Sequence, residues 1–536
     1  MSYDEQEKPR LVPTGRGFSV LYRNKYLYSK YTPARSMTTQ ADALHIPDST
    51  LILCFSPVLG YGLKELIGKL PPSSFILAVE CDQVLMRFSL DQCGTAPFSH
   101  PQLSYIRAGA VPEVLQKIET LPLFPFKKCI SIICSGGALL YKDFYDRVQH
   151  YAEELITRFW INRLTLIQLG RNYAHNTFRN LLFLQKGACS SILSGTARIT
   201  KPVLVAGAGP SLDASRDFII RNRDRFFLLA VDAAAGALLP DIRPDAVILV
   251  ESQYWIDAAF IGLKQAGIPL FADLTASPRA VRAAGGKVYF FCTDYARLRY
   301  LKRLYGVLNP LILPPMGSVG LTALRLSAEL SESGLPIFHT GLDFSWGRGF
   351  THARESSPVK KLSAESGRTA SLYKLNLPAG AQQVGGKQGL ACWTSPVLAG
   401  YADLYRHVFA ADDRIADIGT SGINLRNKVI STVEAEQLLA GAVRGETDRA
   451  GFAASPAAAR QEDISAYLAA EYEELRVLEA HLCGKSTIPQ ERMTGIIAER
   501  DYLYGHFPDA ARGYSLDLGF LKRLRIELAY MLKILG

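Results

Sequence analysis

A glycine-rich turn follows a short apolar run near the middle of the chain. The run covers residues 202–206, and the turn contains Gly207, Gly209, Pro210 and Ser211. Glycine lets the backbone approach a ligand closely, and Pro210 has a φ suited to the start of a helix. Because the unpaired N–H groups at a helix start attract anions, this pattern predicts a phosphate site. A tight turn without a ligand is the alternative, since the third glycine of a dinucleotide fingerprint and a Walker lysine are both missing.

Carboxylates follow three later apolar runs. Asp232, Glu251 and Asp273 each stand at the end of a segment typical of a buried strand. In a parallel sheet the carboxyl ends of the strands share one edge, and ligands bind there. We therefore expect these acids to belong to the same ligand site as the glycine turn; if the ligand is a nucleotide, Asp232 and Glu251 could hold its ribose or base hydroxyls. A helix-capping role is the alternative for each acid.

A second helix start and a candidate base lie further along the chain. Gly317 and Ser318 open a helical stretch whose N-terminus could face the glycine turn and bind the same nucleotide. Asp343 follows a later strand, and His352 lies in the loop beyond it. Imidazole has a suitable pKa for accepting a proton, so His352 is the candidate base and Asp343 could orient it. A loop histidine without a role is the alternative.

Residues 354 to about 395 have no clear periodicity and are rich in Ser, Gly, Lys and Thr. A long irregular segment inside a compact domain is usually a lid or disordered. Its basic side chains could close over a phosphate, or they could simply be solvated. These side chains are Lys360, Lys361, Arg368 and Lys387.

Alternation of apolar strands with helices predicts an α/β fold with more than one domain. The first α/β part contains an irregular glycine turn and a strand that ends near Glu80 and Asp82. An acid at that position can bind a ribose, but the irregular turn favours a purely structural role. The later part alternates more strictly and predicts a doubly wound parallel sheet. In order, we predict a polar tail (1–18), a Rossmann-like domain (19–140), a helical connector (141–199), a central domain (200–432) and a C-terminal helical domain (433–536).

Composition and charge limit the kinds of binding partner and the cellular compartment that we expect. The 536 residues include 60 Lys and Arg against 50 Asp and Glu, a net charge of +10. This mild excess fits an anionic small ligand, and no nucleic-acid signature accompanies it. The nine cysteines show no C-x-x-C spacing, which indicates a reducing compartment. No secretory signal and no membrane-length apolar run is visible, so we expect a cytoplasmic protein without stable membrane insertion.

Five segments of the central part carry a resemblance to a known family: VLVAGAGPSLD, LLAVDAAAGALL, PDAVILVES, MGSVGLTALRLSAEL and TGLDFSW. They resemble the 6-hydroxymethylpterin diphosphokinase MptE-like domain. The wider architecture, with YLYSKYTPARS, GYGLKEL and RIADIGTSGINL, resembles the motility accessory factor (Maf) flagellin glycosyltransferases. The glycine turn and the GLDF segment are also similar to those of bacterial sialyltransferases that use a CMP-sugar.

The resemblance implies an enzyme that transfers a CMP-activated, sialic-acid-like nonulosonic sugar to Ser or Thr hydroxyls of flagellin. The donor would be the CMP-sugar, and no metal is expected because the central part has no Asp-x-Asp motif. An alternative is pyrophosphoryl transfer from ATP to a hydroxymethylpterin, which needs Mg²⁺ held by carboxylates such as Asp232, Glu251, Asp273 and Asp343. A further alternative is a non-catalytic factor that binds or assembles flagellin.

Overall fold

The structure is a computed structural model, and it describes residues 8–536 except 188, 240, 261–262, 297, 348–349, 369–379, 443–450 and 454–459. The chain divides into two compact units, which span residues 1–165 and 166–536. Each unit has an α/β sheet of its own. The α/β fold class is therefore confirmed.

The first unit contains a parallel sheet in the order β6-β5-β4-β7 and an antiparallel sheet of β1, β2 and β3. Every residue of β4 and β5 is buried, as expected for apolar runs covered on both faces. The predicted polar tail is wrong in part, because β1 lies within it and pairs with β2. The strands are β1 (Arg10–Pro13), β2 (Phe18–Tyr22), β3 (Lys25–Tyr26), β4 (Thr50–Phe55), β5 (Phe75–Glu80), β6 (Leu103–Arg107) and β7 (Lys128–Ile133).

Helices connect the parallel strands of the first unit. The last of them continues into the residues of the second unit and covers most of the predicted helical connector. The helices are α1 (Arg35–Ala43), α2 (Leu63–Gly68), α3 (Gln83–Cys93), α4 (Val111–Glu119), α5 (Gly137–Leu140) and α6 (Lys142–Gln185).

The second unit is built around a larger parallel sheet. Its central strands are apolar and fully buried, which explains why they stood out in the sequence. The strands of this unit are β8 (Ser190–Ile192), β9 (Arg198–Ile199), β10 (Val203–Ala206), β11 (Phe227–Val231), β12 (Ala246–Leu249), β13 (Ile268–Asp273), β14 (Gly285–Thr293), β15 (Ile312–Leu313), β16 (Ile337–Thr340), β17 (Gln382–Gly385), β18 (Ala391–Thr394), β19 (Ile415–Asp417), β20 (Lys428–Val429) and β21 (Phe452–Ala453).

The order of the large sheet places a topological switch at its centre. The strands run β15-β14-β13-β12-β11-β10-β16-β19-β20, with β8 beside β14, and the neighbouring strands are parallel. From β10 the chain builds the sheet in one direction as far as β15. It then returns to the other side of β10 with β16. The carboxyl ends of β10 and β16 therefore flank the crevice where doubly wound sheets bind ligands.

The helices of the second unit include the predicted C-terminal ones. Those helices do not form a separate core, because Leu475 and Leu528 belong to the same apolar cluster as Val205. No helix in the described ranges combines the length and the apolar character needed to cross a bilayer. The helices are α7 (Ser211–Ala214), α8 (Arg216–Arg221), α9 (Asp232–Leu238), α10 (Leu263–Ala266), α11 (Pro278–Ala283), α12 (Arg299–Leu308), α13 (Val319–Leu330), α14 (Ser357–Glu365), α15 (Pro396–Val408), α16 (Thr432–Ala442), α17 (Gln461–Leu482), α18 (Gln490–Glu499) and α19 (Leu518–Leu535).

The segment expected to be irregular is partly ordered. Helix α14 lies within it, and β17 pairs with β18 in an antiparallel hairpin. Residues 369–379 of the segment lie outside the described residues. The prediction of an irregular lid is therefore wrong for the hairpin, whose glycines and lone lysine concealed the alternation of its two short strands.

Candidate functional site

Two turns pack main chain to main chain at the switch point. The glycine turn follows β10, and a turn that starts at Gly341 follows β16. A Cβ atom at Gly207 would overlap the carbonyl oxygen of Gly341, and one at Gly209 would overlap the carboxylate of Asp343. Gly341 has a φ of 70°, and its own Cβ would overlap the backbone of Gly207. These glycines are therefore required by the contact between the two turns.

The amides of the glycine turn donate to oxygens of the second turn. The N–H of Gly207 donates to the carbonyl of Thr340 and that of Gly209 to the carbonyl of Gly341, both at 2.8 Å. The N–H of Ser211 donates to Oδ2 of Asp343, also at 2.8 Å. The three groups that we expected to hold a phosphate are thus bonded within the protein. A nucleotide role for these three amides stays a prediction and requires one of these bonds to open.

Asp343 is a buried carboxylate that holds the switch point together. Besides its bond to Ser211, its Oδ1 accepts from the Ser421 hydroxyl at 3.5 Å, and its main-chain oxygen accepts from Ile423 N. Burial raises the pKa of Asp343 to about 6, while its bonds to Ser211 and the charge of Lys387 oppose that rise. These contacts give Asp343 a positioning role.

His352 lies near the glycine turn but not against Asp343. The N–H of the next residue, Ala353, donates to the carbonyl of Ala208 at 2.8 Å. The His352 ring is half-buried, its Nδ1 lies 2.9 Å from the Thr351 hydroxyl, and burial lowers its pKa. No hydrogen bond or ion pair joins Asp343 to His352, both of which are described, so the expected orienting contact is absent. The lowered pKa favours the neutral imidazole, the form that a base requires.

The N-terminus of a second helix, α13, lies beside the glycine turn. The side chain of Leu342 packs against both Gly207 and Gly320, which lies near the start of α13. Its Cδ2 atom is 2.6 Å from the position that a Cβ would take at Gly207 and closer still to that position at Gly320. Gly317, with a φ of 69°, and Ser318 lead into this helix, and Ser318 makes no side-chain capping bond. Among the described residues, the N–H groups of residues 319–321 have no acceptor. This helix start therefore has free donors, unlike the glycine turn.

The loop after β19 completes the crevice. Lys387 is buried, and its Nζ lies 2.6 Å from Oδ2 of Asp417 and 3.0 Å from the carbonyl of Gly419. The ion pair fixes the hairpin of β17 and β18 to the end of β19. Lys387 therefore has a structural role and is not a free cation for phosphate, contrary to one of the two readings of the sequence. Lys360 is exposed and pairs with Glu355.

A cavity of about 110 Å³ opens between the glycine turn, the turn after β16, the hairpin and the β19 loop. Its walls combine an indole ring with small and polar residues, so it could accept a ligand with both polar and apolar parts. The lining residues are Pro210, Ser345, Trp346, Gly347, Gly386, Lys387, Leu390, Ala391, Cys392, Ser421 and Gly422.

The three acids lie at the carboxyl ends of β11, β12 and β13 as predicted, and each accepts from its own turn. Asp232 accepts from Ala233 N, Glu251 from Gln253 N, and Asp273 from the amide and hydroxyl of the residue two positions later. Burial raises the pKa of Asp232 to about 7, and the charge of Glu251 adds to this rise; burial also raises that of Asp273. Within the described ranges, no three His, Cys, Asp or Glu side chains form a group that could hold a metal ion.

Part of this site lies in a segment that matches a known family model. Residues 175–349 match the model described as 6-hydroxymethylpterin diphosphokinase MptE-like. The chain contains an MptE-like domain. It is also 40% identical to an uncharacterized protein of Treponema pallidum (strain Nichols), over 98% of this chain and 95% of that relative, so the two belong to one family.

A solved structure shares the fold over nearly the whole chain. The MAf glycosyltransferase from Magnetospirillum magneticum AMB-1 matches with a TM-score of 0.59, over 98% of this chain and 91% of that chain. The identity is 13%, so this likeness shows the fold. The expected combination of an MptE-like domain with a Maf-type architecture is confirmed.

Sequence reasoning missed two asparagines near the start of the MptE-like domain. Asn176 and Asn180 lie four residues apart on α6, and both are buried. Asn176 Nδ2 donates to the carbonyls of Ser252 and Thr275, and Asn180 Nδ2 donates to those of Leu274 and Ala276. They fasten α6 to the loops after β12 and β13. Two amides at helical spacing on an apolar face were the available signal.

Proposed function

We propose that this protein is a glycosyltransferase that moves a CMP-activated nonulosonic sugar to Ser or Thr hydroxyls of flagellin. The main support is the fold shared with the MAf glycosyltransferase over 98% of the chain, together with the switch-point crevice of the large sheet. Nine free cysteines are in keeping with a reducing, cytoplasmic site of action.

The start of α13 is the proposed site for the phosphate of CMP. Its free N–H groups and the helix dipole both favour a negative charge, and Gly317 lets the chain enter the helix with a positive φ. Glu251 is half-buried, and one of its carboxylate oxygens has no hydrogen-bond partner among the described residues, so it could accept from ribose hydroxyls. In this proposal Gly207, Gly209 and Ser211 shape the crevice, and Pro210 lines it.

His352 is the proposed general base. Its neutral imidazole takes the proton of the acceptor hydroxyl as the hydroxyl oxygen bonds to the anomeric carbon of the sugar. The bond between that carbon and the phosphate oxygen breaks, and CMP leaves with the electron pair. The helix start of α13 would stabilise the negative charge that CMP gains.

Binding and transfer test the proposal together. Calorimetric titration of the full chain with CMP is expected to show binding that ATP with Mg²⁺ and pterins do not match. Flagellin produced with this protein and a donor pathway should gain the mass of the sugar on intact-mass analysis. His352→Ala should abolish that gain without changing the affinity for CMP. A variant that still modifies flagellin at the full rate would remove His352 from the catalytic role.

The family model favours a second candidate, a diphosphokinase that uses Mg-ATP and a hydroxymethylpterin. Asp232 and Glu251 would then approach a metal-bound triphosphate. Binding of ATP that depends on Mg²⁺, without binding of CMP, would select this candidate. If neither nucleotide binds and flagellin still associates with the chain, the protein is a non-catalytic binding or assembly factor.

A further inference from the structure

Two neighbouring aromatic side chains stand exposed in the loop after β12. Tyr254 is 79% exposed and Trp255 is 55% exposed, at the start of a 3₁₀ helix that spans Tyr254–Phe260. Ile256 and Phe260 of the same helix are buried, so the helix has an inner apolar face and an outer aromatic one. Two adjacent exposed aromatics are unusual on a surface that has no partner, and they mark a candidate interaction site.

Three arginine side chains lie nearby. Arg279 and Arg282 are exposed and share one face of α11, and half-buried Arg179 comes from α6. In the part of the chain that the structure describes, none of the three forms an ion pair; Arg179 contacts only the hydroxyl of Tyr530, at 3.5 Å. Burial lowers the pKa of Arg282, the charges of Arg179 and Arg279 lower it further, and the charge of Asp257 opposes these effects. At Arg282, repulsion by the other two cations therefore exceeds the attraction of Asp257.

Hydrogen bonds hold these side chains on one surface. Ser277, which caps α11, donates its N–H to the carbonyl of Glu251 at 2.9 Å and its hydroxyl to Asp257 at 2.8 Å. The exposed aromatics lie between those two acids in the chain, so they flank the start of α11. Asn180 donates to the carbonyl of Ala276 at 3.0 Å and so brings its neighbour in the chain, an arginine, to the same helix.

We propose that this arginine–aromatic patch, formed by Arg179, Tyr254, Trp255, Arg279 and Arg282, is the docking surface for an acidic segment of the acceptor protein. The proposal rests on the proposed function, which requires a protein acceptor. Trp, Tyr and Arg are the residues that dominate binding energy at protein interfaces. An acidic partner would also neutralise the charges of the three arginines, and attraction between opposite charges would increase the association rate.

The position of the patch suits an acceptor. Its aromatic part follows Glu251, at the carboxyl end of β12, and α11 follows the end of β13. An acidic segment bound there would therefore reach the same sheet edge as the proposed donor site. A polyphosphate chain is usually bound along an extended cationic groove, whereas this patch places three arginines beside two exposed aromatic rings.

Fluorescence anisotropy of the full chain with labelled peptides tests the docking surface. The probes are a short peptide that alternates Glu and Ser, its Gln counterpart, and single-stranded oligouridine. The acidic peptide is expected to bind more tightly than the Gln peptide, and more weakly as salt rises. Arg279→Ser with Arg282→Ser, and separately Trp255→Ala, should each weaken that binding at least about tenfold.

A matched control removes the same charge elsewhere. Arg476 and Arg492 are exposed and paired with Glu473 and Glu474, so Arg476→Ser with Arg492→Ser should leave the affinity for the acidic peptide unchanged. All variants should keep the melting temperature of the parent, because the altered side chains are on the surface.

Each contrary outcome has a definite meaning. Equal binding of the Gln peptide, or an equal loss in the control variant, would overturn the docking surface. Tighter binding of oligouridine that the patch variants abolish would show a nucleic-acid site instead. CMP affinity, measured on the same proteins, separates the two proposals: a chain that binds the acidic peptide through the patch but does not bind CMP contradicts the donor site alone. Patch variants that lose CMP affinity would contradict a separate docking surface.

Discussion

At the scale of single residues, the glycines at the switch point allow two turns to pack backbone against backbone. The sequence indicated that Gly207 and Gly209 approach a ligand, whereas the structure brings Gly341 and Asp343 against them. Both readings need a residue without a Cβ, so the residue type could be predicted but the neighbour could not. The neighbour lies more than a hundred residues away in the chain, and no local pattern encodes it.

Replacement of Gly207 by alanine should destabilise the second unit. The new Cβ would meet main-chain atoms of Gly341, which cannot rotate away, at a cost of about 1–3 kcal/mol. Gly236→Ala in α9 is the control, because a Cβ there meets nothing within 4 Å and should stabilise the helix by about 0.5–1 kcal/mol. Urea unfolding measures both changes. An unchanged midpoint for Gly207→Ala would contradict the close packing of the two turns.

In the first unit, the two acids at the carboxyl end of β5 are bonded within the protein. Glu80 accepts from the Ser56 hydroxyl at 2.7 Å, and Asp82 accepts from the hydroxyls of Tyr22 and Tyr141. Burial raises the pKa of Glu80 to about 7, against the effect of its hydrogen bonds. These bonds agree with the structural role favoured by the sequence.

The stability of the first unit should depend on the protonation of Glu80. Because folding raises its pKa, the protonated carboxyl contributes stability that is complete below about pH 4 and is lost as pH rises through about 7. Glu80→Gln should remove this loss, which amounts to roughly 1.4 kcal/mol for each unit of pKa shift. Melting temperatures from pH 5 to pH 8 measure it, with Asp91→Asn at an exposed position of α3 as the control. Parallel curves for the parent and Glu80→Gln would refute the assignment.

At the scale of elements, the order of strands and helices was largely predictable, but the two-residue strands and the hairpin of β17 and β18 were not. The strands β10 to β14 are apolar runs buried on both faces, so composition alone located them. The two-residue strands β15 and β20 are too short to show periodicity. The hairpin of β17 and β18 depends on a buried lysine whose partner, Asp417, is distant in the chain.

A charge at the start of α13 should compete with a nucleotide. Ser318→Asp adds a capping carboxylate, which should stabilise the helix by about 0.3–1 kcal/mol and weaken CMP binding at least about fivefold. Ser318→Asn caps without a charge and serves as the control. Calorimetric titration measures the affinities. Equal CMP affinity in the two variants would place the phosphate somewhere other than this helix start.

Loss of the buried ion pair should loosen the hairpin. Lys387→Met leaves Asp417 buried without its cation, which typically costs about 3–5 kcal/mol. Lys360→Met removes an exposed lysine that pairs with Glu355 and should change stability by less than about 1 kcal/mol. Adding Asp417→Asn to Lys387→Met should recover part of the loss in a urea-unfolding experiment. No recovery would mean that Lys387 acts mainly through its bond to Gly419.

At the scale of the whole molecule, the chain consists of two compact units where the sequence predicted three folded domains and a connector. The C-terminal helices looked separate because their amphipathic periodicity differs from that of the sheet. Their buried leucines nonetheless join the core of the second unit. Periodicity reveals which face of a helix is buried, but it does not reveal what covers that face.

Calorimetric unfolding of the full chain should therefore show two transitions. Glu80→Gln should shift one of them, and Gly207→Ala the other. Under the proposed function, CMP should raise the temperature of the transition that Gly207→Ala lowers, because both act on the second unit. A single transition that every variant shifts equally would contradict two independent cores.

The switch point also has a consequence for synthesis on the ribosome. Strand β10 ends at Ala206, but its neighbour β16 begins at Ile337. Translation at about 5–20 residues per second separates the two strands by on the order of ten seconds. Throughout that interval the nascent sheet exposes the unpaired edge of an apolar strand that is fully buried in the finished protein, and such an edge is a template for aggregation. The same seam that forms the crevice of the finished protein is therefore the surface that the growing chain must keep covered.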